Sequence, residues 1–406
     1  MLLTTLIPIE FIDNSIPKII RFLDENQVHG FSDDFINEHF VEEHFKQMIM
    51  WILEQSSRTI YYTCDLENNE FGYVSEQENE SCSVCGELVT NRLAHDLSNL
   101  YTLPSENVEA LKQSIKEYQR KKYFYAPTYD NLQDLKEEQK NLVPFIGAGL
   151  SVPLGLPNWT QLLKELAPKF PEEHQRLTYL EYTESGDLLK ALSYLKEKST
   201  RLNRDDQIKD KIIEIIKASK NNDVLVTEHN IGDILKLKAS VYITTNYDHC
   251  IEDFSSQQNS YCPPLCLQDI DNMPNLFSAT GQVLHIHGHI TRKETMIVTE
   301  EDYAKLYEEK ELMDKLKVIL ASRTSFFVGF SFNDKFFEDM YEKFHDVFKG
   351  HHYMVIANPT IEEVRRYNRD KDIRVVGLNL GKNEDGSTNY NDFIPAFRTL
   401  INYIVE

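Results

Sequence analysis

The sequence predicts an α/β protein: a mostly parallel sheet with a helical insertion, preceded by an N-terminal accessory domain of mixed, mainly helical character. Three observations carry that expectation. Seven short β-rich runs follow residue 140, most of them continuously apolar, as strands covered on both faces are. Helical stretches separate most of them, which is the pattern of crossover connections in a parallel sheet. The composition also changes near residue 130, placing an accessory, oligomerisation or partner-docking domain at 1–128 and the sheet domain at 129–406.

Taken in order, residues 1–125 mix helical patterns such as "DDFINEHFVEEHFKQMIMWILEQ" with the polar segment "CDLENNEFGYVSEQENESCSVCGE". The basic "YQRKKYFY" at 118–125 reads as a solvated helix end. The expected strands are then 143–146, 241–244, 283–286, 296–298, 325–328, 353–356 and 373–378, with a long helical insertion over about 160–238 between the first two. No internal repeat or low-complexity run points to a solenoid or a disordered tail.

Composition narrows the function. With 43 Lys plus Arg against 65 Asp plus Glu, the formal charge is −22, which opposes broad contact with nucleic acid phosphates. No stretch approaches the ~18 apolar residues of a membrane span. The apolar start "MLLTTLIPIEF" lacks a basic n-region and a cleavage site, so the expected location is the cytoplasm. There, the six cysteines at 64, 82, 85, 250, 262 and 266 are expected as thiols or metal ligands.

In parallel sheets, ligands bind beyond the carboxyl ends of the strands, so the chemistry is sought there. The segment "NLVPFIGAGLSVPLGLPNWTQLL", residues 141–163, holds three of the chain's 15 glycines, directly after an apolar run. Small residues between a strand and a helix leave bare backbone N–H groups that a phosphate can approach. The later strand ends carry "TTNYD" at 244–248, "HIHGH" at 285–289 and "GFSFND" at 329–334. Each alone is explained by a turn, a cap or a core histidine. Their order and their shared position at strand ends make one site of them.

From about residue 130 to 400 the chain resembles the sirtuin-like NAD-consuming domain, in the branch found in bacterial anti-phage defence proteins. The family's G-A-G-x-S loop and G-[IL]-P correspond to Gly147, Ala148, Gly149 and Ser151 with Gly155, Leu156 and Pro157. Its [TQ]-N-x-D segment is Asn246 and Asp248, its catalytic His-Gly is His287 and Gly288, and its G-x-S loop is Gly329 and Ser331. "VPFIGAGLS", "ITTNYD" and "VTEEDYAKLY" match the bacterial branch in phrasing. Two departures set the chain apart from deacylating sirtuins. Residues 289–328 contain no cysteine, so the deacylase zinc module is missing, and Trp159 and Thr160 stand where those enzymes carry Phe-Arg. Loss of that lobe favours water over acyl-lysine as the acceptor.

The resemblance implies a Rossmann-like NAD site and an NAD glycohydrolase that depletes NAD in abortive-infection defence. Its nucleotide-binding residues would be Gly147, Ala148, Gly149, Ser151, Pro157, Trp159, Asp248, Gly288, Gly329 and Ser331. The amides around Ala148 and Gly149 would hold the pyrophosphate, Ser331 the adenine-side ribose, and Asp248 the carboxamide. Cleaving the N-glycosidic bond builds an oxocarbenium-like transition state, which needs a positioned polar group and a proton acceptor. Asn246 fits the first role and His287 the second. His285 and His289 are expected to support the substrate. NAD is substrate here, and catalysis requires no metal. ADP-ribosyl transfer, cyclisation and a non-catalytic NAD or ADP-ribose sensor are the alternatives. Family analogy adds a homo-oligomer and a HerA-type hexameric ATPase or other activator as partner.

The remaining cysteines read separately. "ESCSVCGE" holds a C-x-x-C knuckle at Cys82 and Cys85, and Cys64 and His95 are the nearby groups that could complete a zinc site. The spacing is irregular, and the weight falls on ordinary thiols or a metal-free remnant. Cys250 reads as packing, and Cys262 and Cys266 in "YCPPLC" as loop thiols.

Overall fold

The structure, a computed structural model, describes residues 31–32, 57–67, 72–102, 105–167, 170–257, 261–271, 276, 281–321, 323–330, 341 and 351–406. The chain divides into two compact units, Met1–Lys121 and Lys122–Glu406.

In the N-terminal unit, β1 (Phe31–Ser32), β2 (Ser57–Cys64), β3 (Gly72–Ser75) and β4 (His95–Thr102) form an antiparallel sheet in the order β1-β4-β2-β3. Along β2 the side chains alternate: Ile60, Tyr62 and Cys64 are buried, and Tyr61 between them is exposed. With Cys82 and Val89 they make a small core. The polar segment read from sequence thus contains strand β3, and the helical pattern at 33–55 lies outside the described residues. Helix α1 (Ser105–Tyr123) follows the sheet and carries the basic run.

The second unit begins with α2 (Tyr129–Glu137) and β5 (Leu142–Ile146). Two 3-10 turns, Ala148–Leu150 and Val152–Leu154, come before α3 (Trp159–Leu166), so the strand does not open directly onto an α-helix as the sequence suggested. Asn158 caps α3 and exchanges bonds with Gln161, a capping box that fixes where the helix starts. The insertion continues through α4 (Glu173–Glu184), α5 (Leu188–Lys198), α6 (Asp205–Ser219) and α7 (Ile231–Leu235). Then come β6 (Val241–Thr244), α8 (Cys250–Gln257), β7 (Pro264–Cys266), β8 (Gln282–His285), α9 (Glu300–Glu308) and α10 (Lys310–Ala321). The unit closes with β9 (Thr324–Val328), β10 (His352–Ala357), α11 (Ile361–Lys371), β11 (Ile373–Leu378) and α12 (Phe393–Val405).

Seven strands form one sheet in the order β11-β10-β9-β5-β6-β8-β7, and every pairing is parallel. Apolar runs become its middle because successive side chains enter different cores. Phe145, Ile243, Leu284, Phe327 and Val375 pack in one, with Ile319 of α10 and Val364 of α11. Ile146, Tyr242, Val283, Phe326 and Val376 pack in the other, with Leu400 and Ile404 of α12. From β5 the chain runs outward through β6 to β8, then returns to β9 on the other side of β5. The direction of winding therefore reverses between β5 and β9, the place where such sheets open a crevice for ligands.

Two strand expectations change. Residues 296–298 are not a strand, although Met296 and Val298 are fully buried. The Ile297 N–H donates to the His287 carbonyl at 3.0 Å and the Val298 N–H to the Asp302 carboxylate at 3.0 Å, so no sheet ladder forms. Conversely, Cys266 is no loop thiol: it ends β7, an edge strand short enough to accept Pro264 at its start. Cys262, just before that strand, is buried as well.

Candidate active site at the carboxyl ends of the strands

The loops that follow β5 and β9 are locked together through glycine. Gly329 has φ +79°, and a Cβ there would lie 2.7 Å from the Gly147 carbonyl oxygen and 2.9 Å from the Leu150 nitrogen. A Cβ on Gly147 would meet the Gly329 oxygen at 2.6 Å. The Gly147 N–H donates to the Val328 carbonyl at 2.8 Å and the Gly149 N–H to the Gly329 carbonyl at 2.9 Å. The Leu150 and Ser151 amides close the 3-10 turn onto Gly147 and Ala148. Among the described residues, the Ala148 N–H is therefore the amide of this turn with no acceptor, which narrows the expected phosphate cradle to that donor. Ser331 lies outside the described residues.

The next strand ends come together through register. Thr244 of β6 pairs with His285 of β8, so Asn246 and His287 each stand two residues beyond a paired position on neighbouring parallel strands. The Thr244 hydroxyl donates to the Ile146 carbonyl at 2.9 Å and accepts the Asn246 N–H at 3.0 Å. The Asn246 Nδ2 donates at 3.2 Å to the Gly147 carbonyl and at 3.2 Å to the Ser151 hydroxyl. Ser151 is buried and so serves the asparagine, while Oδ1 is the end of that amide able to address a ribose hydroxyl or a water.

His287 is 2% exposed and packs edge-on against Tyr303 at 5.6 Å. Burial pushes it down to about 3, with a hydrogen bond to the Thr245 backbone opposing the shift. Burial thus keeps the ring neutral near pH 7. Gly288 beside it has φ +74°, and a Cβ there would lie 2.2 Å from the Thr295 oxygen. That glycine lets the 295–298 segment close against the histidine.

Two groups that the sequence did not point to, Glu252 and His249, meet His285 and His289. Glu252 of α8 lies 2.6 Å from the His285 Nε2, and the His285 Nδ1 donates to the Asn246 carbonyl at 2.9 Å. Both nitrogens of His285 face acceptors, and with Glu252 the ring clamps the backbone of Asn246. His285 therefore supports the asparagine. The His289 Nδ1 lies 3.0 Å from the His249 Nε2 and 2.8 Å from the Thr291 hydroxyl. Burial first, then the charges of His285 and His249, push His289 down to about 4.

The other expected residues fall around this centre. Asp248 accepts the Cys250 N–H at 3.0 Å just before α8. Trp159 meets Tyr247 edge-to-face at 5.6 Å, and the Tyr247 hydroxyl donates to the Ile297 carbonyl. Pro157 is half-buried just before the cap of α3. Cys250 is buried, which pushes its thiol well up and leaves it as packing. Cys64, Cys82, Cys85 and His95 belong to the N-terminal unit. Glu252 carried little signal because its partner is 33 residues away along the chain. The density of His249, His285, His287 and His289 was the available hint.

A doubly wound parallel sheet, a glycine-locked switch point and an asparagine and a histidine on adjoining strand ends make up this region. Residues 240–376 match the SIR2-like domain family, a stretch that takes in Asn246, Asp248, His287 and Gly329. The chain is also similar to proteins named NAD(+) hydrolase ThsA. It is 27% identical to that of Enterococcus faecium over 202 residues, 48% of this chain and 38% of the relative. It is 27% identical to that of Cytobacillus dafuensis over 197 residues, 48% of this chain and 36% of the relative. For Acinetobacter baumannii the identity is 28% over 203 residues, 48% and 38% of the two chains. The match thus spans less than two fifths of each of these relatives. Among the described residues, no helix is long and apolar enough to cross a membrane.

Proposed function

We propose that the chain is an NAD glycohydrolase, converting NAD and water to nicotinamide and ADP-ribose. The observation that supports this reading is the register of β6 and β8, from which Asn246 and the buried His287 each follow a paired strand end by two residues. The pyrophosphate would lie over the Ala148 amide, in the turn that Gly147 and Gly329 hold against β9. Asn246 would orient a water or the ribose through Oδ1, and His287 would take the proton as the bond to nicotinamide breaks. Asp248 would receive the carboxamide through its other oxygen, and Ser331 the adenine-side ribose. The similarity to proteins named NAD(+) hydrolase supports the same substrate and reaction.

Depletion of NAD as anti-phage defence in the cytoplasm belongs to this reading. So do self-association and a partner such as a HerA-type ATPase, because an uncontrolled NADase would exhaust its own cell. The test is chromatography of NAD incubated with the full chain, with mass determination of each product. Nicotinamide with linear ADP-ribose supports hydrolysis. A cyclic product or ADP-ribose attached to protein would replace water by another acceptor.

A further inference from the structure

The N-terminal unit gathers a second set of reactive side chains that the strand-end chemistry does not use. The sulfurs of Cys64, Cys82 and Cys85 and a ring nitrogen of His95 all lie within 4.8 Å of one another. The fold delivers them from three places. Antiparallel pairing of β2 with β4 sets Cys64 directly opposite His95. A tight turn supplies the other two: the Cys82 N–H donates to the Glu87 carbonyl at 2.7 Å, the Gly86 N–H to the Cys82 carbonyl at 2.9 Å, and Gly86 has φ +77°. The Val84 N–H points at the Cys82 sulfur at 3.4 Å, and the Cys85 sulfur lies 3.2 Å from the His95 Nε2.

We propose that these four residues bind one zinc ion in a closed, tetrahedral Cys3His site that staples the N-terminal sheet. The number and type of donors are those of a structural zinc site, and no water or substrate position is left over. Zinc–sulfur bonds of about 2.3 Å place tetrahedral ligands roughly 3.8 Å apart, so the observed spread requires only small side-chain rotations. The Val84 N–H aimed at sulfur is the kind of outer contact that stabilises a thiolate ligand. Cys64, Cys82 and His95 are buried, and no disulfide links the cysteines. Among the described residues, Cys64 and Cys82 lie in the buried core of this sheet with Ile60, Tyr62 and Val89, so the ion would sit at that core. The irregular spacing that weighed against zinc in the sequence is the length of chain needed to build β3 and return through β4.

The test is the zinc content of the full chain, expressed with zinc and purified without chelator under reducing conditions. One zinc ion per chain is expected, lost in Cys82→Ser/Cys85→Ser and kept in Cys262→Ser. Because the double variant can fail to fold, the wild-type chain is also exchanged into cobalt(II). The visible bands of tetrahedral cobalt with thiolate charge transfer are expected there. Folded, fully reduced wild-type chain that carries no zinc and gives no tetrahedral cobalt spectrum would overturn the proposal. Zinc retained by the double variant would overturn it equally.

Discussion

The two halves of the strand-end site are built by different physics. Around β5 and β9 the backbone does the work: two carbonyls and two glycines approach so closely that no side chain fits between them. Around β6 and β8 it is the side chains: His285 links Glu252 to the Asn246 backbone in the interior, and His287 stands two residues further along, packed on Tyr303. On the proposed reading the first half would hold the nucleotide through the Ala148 amide and the second would move a proton. The difference teaches where substitutions should separate binding from chemistry.

The largest effect is expected on the histidine side. His287→Ala and Asn246→Ala should each lower nicotinamide release by about 100-fold to 10,000-fold, the usual range for a lost acid-base group, while the fold survives. Glu252→Ala leaves the buried Nε2 of His285 without its carboxylate partner, and loss of one member of a buried pair costs about 3–5 kcal/mol, read as a lower urea midpoint. Glu252→Gln, which keeps a hydrogen-bond acceptor, should recover part of that loss. On the glycine side, Gly329→Ala places a left-handed residue against two backbone atoms. The strain of the left-handed conformation alone is about 1–3 kcal/mol, and NAD affinity should fall with it.

The smallest effect is a pH dependence. His287 has a folded value of about 3 against about 6.5 when unfolded, so the unfolded chain binds more protons between those values. Its contribution to stability is full above about pH 6.5 and is lost as pH falls toward about 3. Urea unfolding at a series of pH values should show this slope, and His287→Gln should flatten it. An unchanged slope would mean that the imidazole is not held neutral by burial.

Much of this was legible in the chain. Phe145-Ile146 and Phe326-Phe327 are consecutive large apolar residues that only a strand covered on both faces can bury, so the parallel sheet could be read without the structure. Met296 to Val298 has the same composition but spends its amides on His287 and Asp302, which local sequence cannot reveal. β7 was hidden by Pro264 and by its length of three residues. Among site residues, glycines and strand-end polar groups declare themselves by type and place. Glu252 and the service of Ser151 to Asn246 do not, because both depend on contacts between distant segments. The N-terminal unit is the sharper case. Cys64, Cys82, Cys85 and His95 were visible as residue types, but only the pairing of β2 with β4 shows that they converge.

The division of labour between the two halves has a direct test. NAD binding by calorimetry and NAD turnover by nicotinamide release would be measured side by side on the wild-type chain and on Asn246→Ala. Binding retained with turnover abolished is the expected result, since the glycine-locked turn is left intact. Turnover at the wild-type rate in Asn246→Ala, or intact NAD after saturating binding to the wild-type chain under all conditions of assembly, would contradict the account.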